Sequence, residues 1–361
     1  MTDSGGELTV AILDARPRGY PADCVKALLL SGNFSGAELI GLDGRNGAGN
    51  RLSERPEGRV AQTVPDTVSS ALERPEVRRA FAALECVARA PGTDAAEAKN
   101  LAMARANGRY VLLLFSDVFV TPGCVETLRE FLDAHPRTAA AGALLLRENG
   151  WLRPSRYDTP GLWPQLGRPL RFLTQINPRS RRYQQTRLEI APQEKVAALP
   201  SACVMVRREA WLEIGEFTPG YDFDVDAVEW GIRAKKKRWR IHLVPPARAF
   251  HVPPQENLPL PVAGRLAYER SLLRCIERTR GRAYARVFRL LRAWRAVRLM
   301  LLTGAGWVLT GRRSALCRDL AAGYARLAGW HLGGRPEQGD PAPAAEVAEA
   351  VSTRRWETEL L

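Results

Sequence analysis

The sequence predicts an α/β protein with a mostly parallel central sheet, followed by a C-terminal helical region. Two observations carry that expectation. From Leu8 to Leu146, short apolar runs alternate with stretches of helical spacing, the pattern of parallel strands joined by crossover helices on both faces. Two of the runs end at or beside an acid, Asp43 and Asp117. Ligands of such sheets bind outside the carboxyl ends of the strands.

In order, Leu8 to Leu13 reads as the first strand, Pro21 to Leu30 as a helix, and Glu38 to Asp43 as the second strand. Gly44-Arg45-Asn46-Gly47 reads as a loop. A short strand is expected near Val60 and a helix from about Val68. Leu84 to Ala88 is the next strand, Ala95 to Ala106 a helix, and Tyr110 to Leu114 a buried strand. Val125 to Ala134 is helical and Ala139 to Leu146 extended. Residues 151 to 196 are rich in Pro, Arg and Gln, lose periodicity, and read as a long loop region near an acceptor. Ala197 to Arg207 is strand-like, Glu209 to Ile214 a short helix, and Ile241 to Val244 the last strand. The expected division is a sheet domain over 1–256, a basic amphipathic helical region over 257–334, and a mobile tail over 335–361.

The chain has 361 residues, 45% of them hydrophobic and 25% charged, with a net charge of +14. That composition is globular, and the positive balance suits an anionic partner: a nucleotide, a phospholipid head group, a lipid diphosphate or a nucleic acid. The six cysteines form no C-x-x-C pair and no zinc spacing, so buried, reduced thiols of a cytosolic protein are expected. No apolar run reaches the roughly 18 residues of a membrane span, and Met1 to Leu8 is polar rather than a secretory signal.

Five collinear segments resemble the family 2 glycosyltransferases, in particular their rhamnosyltransferase-like branch: "ELIGLDGRNG" (38–47), "AKNLAMARANGRYVLLLFSDVFVTPG" (98–123), "PSACVMVRREAWLEIGEF" (200–217), "YDFDVDAVEWGIRAKKKRW" (221–239) and "VPPARAFH" (244–251). The resemblance spans roughly residues 7 to 255. It implies a GT-A (Rossmann-like) nucleotide-sugar-binding domain. Asp43 then matches an acid that contacts the base of the donor nucleotide, for which a carboxylate is suited as an acceptor of N–H bonds; Asp-Gly is also a common turn. Asp117 matches the last acid of the D-x-D motif. A divalent ion, Mg²⁺ or Mn²⁺, held there neutralises the departing diphosphate and can take its other oxygen ligands from phosphates and water. Phe115 departs from the pattern, standing where the first acid is expected. Asn100 matches a residue that holds the donor-binding loops, or it is a solvent-facing helix residue. His251 matches a histidine that completes the metal site or contacts the diphosphate.

The acidic segment after Phe217 should supply the base. The mechanism that the resemblance implies needs one carboxylate to take the acceptor proton while the anomeric carbon is attacked from the face opposite the diphosphate, with inversion. Ungapped alignment puts Ala227 at the usual base position. Asp226 is adjacent, Asp224 lies two residues before that, and Glu229 follows, so each remains a candidate. Arg233 falls on the family's arginine, on the donor side. Trp211, Phe217 and Trp239 read as core. Arg207 and Arg208 could pair with an acid or a diphosphate, or be solvated.

From Arg282 to Arg298 arginines recur at spacings of three and four, interleaved with Phe288, Leu290, Leu291, Trp294 and Val297. Such a helix can lie in an anionic membrane interface, or it can cap the sheet domain with a solvated arginine face. No nucleic-acid-binding module is recognised. Together these readings predict a metal-dependent inverting transferase, cytoplasmic and peripheral on the inner membrane face, using a nucleotide sugar and a glycan, lipid-linked or small-molecule acceptor. The product would belong to a cell-surface polysaccharide, a glycolipid or a natural-product glycan. Phe115 and Ala227 support a rival, a non-catalytic scaffold of the same fold. A nucleotidyltransferase would need a glycine-rich loop after the first strand, and "ARPRGYP" (15–21) lacks one.

Overall fold

The computed structural model describes residues 7–14, 20–43, 67–90, 93–162, 193–252, 262–309 and 315–333. The 44–47 loop, the strand near Val60, the tail from 335 and most of the 151–196 region lie outside the described residues. The chain separates into two compact units, divided between Thr159 and Pro160 and between Pro254 and Gln255, with Pro160–Leu173 assigned to the unit of the C-terminal helices.

The first unit is built on one mixed sheet. Its described elements are β1 (Leu8–Leu13), α1 (Pro21–Ser31), β2 (Glu38–Asp43), α2 (Val68–Leu72), α3 (Pro75–Ala80), β3 (Ala83–Ala88), α4 (Ala95–Arg105), β4 (Tyr110–Phe115), β5 (Val118–Val120), α5 (Cys124–Ala134), β6 (Thr138–Leu146), β7 (Glu194–Val196), β8 (Cys203–Arg207), α6 (Arg208–Ile214), α7 (Val225–Lys236) and β9 (Arg240–His251). The strand order is β3-β2-β1-β4-β8-β6-β9-β5, with β7 also on β9. β1 pairs in parallel with β2 and β4, β2 with β3, and β6 with β9. β8, β5 and β7 run antiparallel to their neighbours. The central strands are buried along their whole length, as in "YVLLLF" of β4, because helices cover both faces. Edge strand β3 is only partly covered.

Local chemistry sets the helix starts. Thr67 and Ser70 form a reciprocal capping box at α2, and Asp94 with Glu97 does the same at α4, with bonds of 2.8 and 2.9 Å. Each satisfies backbone donors that the first helical turn leaves free. In α7, Gly231 brings the helix so close to the Ala197 carbonyl that an added Cβ would lie 2.2 Å from its oxygen.

The sequence reading departs from the structure in several places, among them strand β7 within the region read as loop. β9 runs to His251, well past Val244. The ladder to β6 jumps from the Ala143–Val244 pair to the Leu144–Arg248 pair. Pro245 and Pro246 sit in that bulge, where their missing N–H groups cost no ladder bond. The acidic segment, given no element in the sequence reading, is mostly helix α7, buried over Val225–Gly231. Arg207 is neither solvated nor aimed at a diphosphate. It is 2% exposed and bonds the carbonyls of Thr138, Leu132 and His135 and the Tyr110 hydroxyl. Trp211, Phe217 and Trp239 are buried. Cys24, Cys124, Cys203 and Cys275 are buried, whereas Cys86 is exposed and Cys317 half-buried.

The second unit contains α8 (Val262–Arg280), α9 (Arg282–Leu309) and α10 (Ala315–His331). Leu272, Ile276 and Phe288 form a small core that Leu162 and Tyr284 join. Glu269 of α8 ties the three helices: it accepts from Arg292 of α9 at 2.9 Å and faces His331 of α10 at 3.5 Å. Burial lowers the pKa of Arg292 to about 10, and burial beside Arg292 and Arg289 lowers that of His331 to about 4. No helix of the described residues is long and apolar enough to cross a membrane.

Candidate active site

The carboxyl ends of β1, β2, β3 and β4 meet along one rim. The ladders fix this, because Leu13 lies opposite both Leu42 and Phe115, and Asp43 opposite Ala88. The next residues on these strands are therefore neighbours: Asp14 after β1, Arg89 after β3, Ser116 and Asp117 after β4. Asp14 accepts the Ser116 hydroxyl at 2.9 Å. Arg89 donates to the Asp14 carbonyl at 2.9 Å, and its backbone N–H to the Asp43 carbonyl at 3.1 Å. Burial draws the Arg89 pKa down while the nearby charges of Asp14 and Asp43 oppose that shift. Asp43 is thus a rim acid beside a guanidinium. Asp14, Ser116 and Arg89 were missed in the sequence, although Asp14 closes its strand as Asp43 closes β2.

Asp117 and His251 come together from separate parts of the chain. The short strand β5 pairs antiparallel with the end of β9, Val118 opposite His251. The Val252 N–H donates to the Asp117 carbonyl at 2.9 Å. The imidazole Nε2 then lies 3.5 Å from the Asp117 carboxylate, with Asp117 1% and His251 7% exposed. Arg153 holds the His251 carbonyl at 3.2 Å. Burial raises the pKa of the neighbouring Cys24 thiol, and the Asp117 charge adds to that. No group of three His, Cys, Asp or Glu suited to a metal occurs among the described residues. One carboxylate and one imidazole fit a divalent ion only if phosphates and water complete its coordination. Phe115 is buried at the end of β4, its N–H bonded to the Ala202 carbonyl at 3.0 Å.

The acidic segment is held by α4. Asn100 bonds both backbone groups of Phe217, donating to its carbonyl at 2.7 Å and accepting its N–H at 2.8 Å. Asn100 therefore does not face solvent; it fixes the loop that leads to α7. Asp226, 1% exposed, forms an ion pair with Lys99 of α4, which also donates to Ser201 at 2.7 Å. Burial pushes the Asp226 carboxyl above the usual range, and Lys99 opposes that push. Glu229, also 1% exposed, accepts from Thr218 at 2.9 Å and from Arg233 at 2.9 and 3.0 Å. Arg233 in turn donates to the Ile214 carbonyl at 2.8 Å. Asp224 differs from both. It is half-buried, stands at the N-cap of α7, and accepts the Tyr157 hydroxyl at 3.1 Å. Phe223 and Asp224 have φ of 55° and 58°, a left-handed conformation that costs non-glycine residues energy and concentrates at functional sites.

Residues 73–215 match the family described as Glycosyl transferase family 2. Two N-acetylglucosaminyl-diphospho-decaprenol L-rhamnosyltransferases of Mycobacterium tuberculosis, from strains CDC 1551 / Oshkosh and ATCC 25618 / H37Rv, are 30% identical over 155 residues, which is 39% of this chain and 46% of theirs. The chain matches about half the length of these relatives. Among solved structures, the crystal structure of GalNAc-T7 with UDP, GalNAc and Mn²⁺ aligns with a TM-score of 0.47 and 14% identity, over 75% of this chain and 48% of that one. Over residues 73–215, the chain is similar to the family 2 glycosyltransferases.

Proposed function

We propose that the chain transfers a sugar from a nucleoside-diphosphate donor to an acceptor hydroxyl, with inversion at the anomeric carbon. The observation that carries this reading is the buried Asp117–His251 pair at the carboxyl rim of the sheet. The donor would lie along that rim, its base beside Asp43 and its diphosphate near Asp117 and His251. Asp117 and His251 would hold Mg²⁺ or Mn²⁺, which when bound neutralises charge on the leaving diphosphate. Arg89 adds positive charge next to Asp43.

On the acceptor side, Asp224 is the base that the geometry favours. The carboxylates of Asp226 and Glu229 are buried against Lys99 and Arg233, and an accessible base must reach the proton it removes. Asp224 is half-buried and oriented by Tyr157. Asp226, Glu229, Asn100 and Arg233 then act by positioning α7 and the loop before it.

The relatives are named for an acceptor that joins N-acetylglucosamine through a diphosphate to a polyprenol. An acceptor of that lipid-linked class fits the second unit of this chain. Helix α9 has no acidic residue, and while Arg292 turns inward to Glu269, Arg282, Arg286 and Arg295 are exposed. Val287, Leu290, Trp294, Leu301, Leu302, Val308 and Leu309 on it are each 47% exposed or more. Apolar side chains flanked by arginines match an anionic lipid surface. A second copy docked on the same stripe would instead bring arginine rows together. The full sheet-to-site reading is tested by incubating labelled nucleotide sugars with the chain, Mn²⁺ or Mg²⁺, and a lipid-linked saccharide. Transfer, or slow donor hydrolysis without acceptor, is expected. Neither reaction with any nucleotide sugar would favour the scaffold instead.

A further inference from the structure

The β5–β9 ribbon has a second face. Phe119 lies opposite Phe250, one position out of step with the Val118–His251 pair. Strand alternation therefore turns both rings to the side of the ribbon away from the His251 imidazole. There they border an open cleft of about 520 Å³, lined also by Tyr20, Asp23, Glu148 and Val252. Tyr20 and Asp23 come from the start of α1. The Tyr20 N–H bonds the Ser116 carbonyl at 3.0 Å, and its ring stands 6.2 Å from that of Phe119 at 45°. The described lining holds three aromatic rings and two exposed carboxylates but no lysine or arginine, in a chain whose net charge is +14.

That chemistry narrows the ligand. The exposed carboxylates of Asp23 and Glu148 repel a diphosphate, which sets the cleft apart from the proposed donor site. Aromatic faces cover the C–H faces of a sugar ring, and carboxylates accept its hydroxyl hydrogen bonds. The tilted Tyr20 and Phe119 rings border an open trough rather than a cage closed on a cation. We propose that this cleft is a saccharide subsite that holds a neutral sugar ring outside the donor site, on the ribbon face opposite His251. The choice of a saccharide rests on the transferase reading.

Saturation-transfer NMR on the full chain tests it, with N-acetylglucosamine, its β-1,4-linked disaccharide and methyl rhamnoside as probes and tetramethylammonium as the cationic control. At least one sugar should receive saturation. The signal should persist in Asp117→Ala and with saturating nucleoside diphosphate and Mn²⁺. Its affinity should fall about fivefold in Tyr20→Ala and in Glu148→Gln. Both variants change exposed or partly exposed side chains, and an unchanged melting temperature shows that they fold. No transfer to any of the three sugars overturns the proposal, as does loss of the signal in Asp117→Ala, its displacement by the nucleotide, its insensitivity to both cleft variants, or preferential binding of tetramethylammonium. A nucleotide thermal shift on the same samples separates the two readings: if it persists while sugar binding is absent, the subsite fails and the donor site stands.

Discussion

Asp117 and Asp226 are both buried acids, yet their surroundings differ. Asp117 faces an imidazole at a strand end, while Asp226 is closed against Lys99 inside the first unit. Removing one partner of a buried ion pair leaves an uncompensated charge and costs roughly 3 kcal/mol or more, whereas replacing both by apolar groups is often near neutral. Lys99→Met should therefore destabilise the chain by about that much in chemical denaturation, and the Lys99→Met, Asp226→Leu double variant should recover most of the loss. A double variant as unstable as the sum of the singles would mean that the pair is not the unit. The proposed base behaves differently. Asp224→Asn should cut transfer about a hundredfold or more and leave the nucleotide-induced thermal shift intact. Activity that survives Asp224→Asn and disappears in a stably folded Asp226→Asn would move the base to Asp226. Asp43, Asp117, His251, Asp224 and the two acids of α7 were all legible as candidates because each sits in a collinear motif. Which acid is accessible was not, because that depends on Lys99 and Arg233, far from or four residues beyond the acids they bind.

Elements rather than single groups bring the site together. Helix α4, capped by Asp94, contributes Lys99 and Asn100, which bind the segments around Asp226 and Phe217. Losing both Asn100 bonds should cost about 1–3 kcal/mol and lower transfer through misplacement of α7. Asn100→Ala should thus depress both the melting temperature and kcat, while Asn100→Asp, which keeps the acceptor for the Phe217 N–H, should retain more of each. Equal loss in the two variants would show that the acceptor bond is not what matters. The strands and most helices of the first unit were readable from their periodicity. Two decisive elements were not. Three-residue β5 is too short for a period, and Pro245-Pro246 hid the continuation of β9 toward His251. The pairing of these two strands is what carries His251 to Asp117, so the site's geometry escaped a reading that found both residues.

The two units divide the chemistry of the chain. The first carries the rim of acids on a buried sheet, and the second carries a 28-residue helix with arginines and exposed apolar side chains. Both the helical character and the basic periodicity of this second unit were visible in sequence. The buried Glu269–Arg292–His331 cluster was not, since it joins residues from three helices. If the α9 stripe meets lipid, the full chain should sediment with vesicles containing phosphatidylglycerol and much less with phosphatidylcholine alone, and the binding should weaken in high salt. Trp294→Glu together with Leu301→Glu should abolish it without changing the melting temperature. Binding that ignores lipid charge, or that survives both substitutions, would assign the stripe to another partner.

The proposed donor chemistry depends on a divalent ion and a diphosphate meeting at Asp117 and His251. The melting temperature of the wild-type chain, measured with nucleoside diphosphates with and without Mn²⁺, should rise only when metal and nucleotide are both present. The metal-dependent part of that rise should vanish in Asp117→Ala. An undiminished, metal-dependent shift in a folded Asp117→Ala protein would contradict the account.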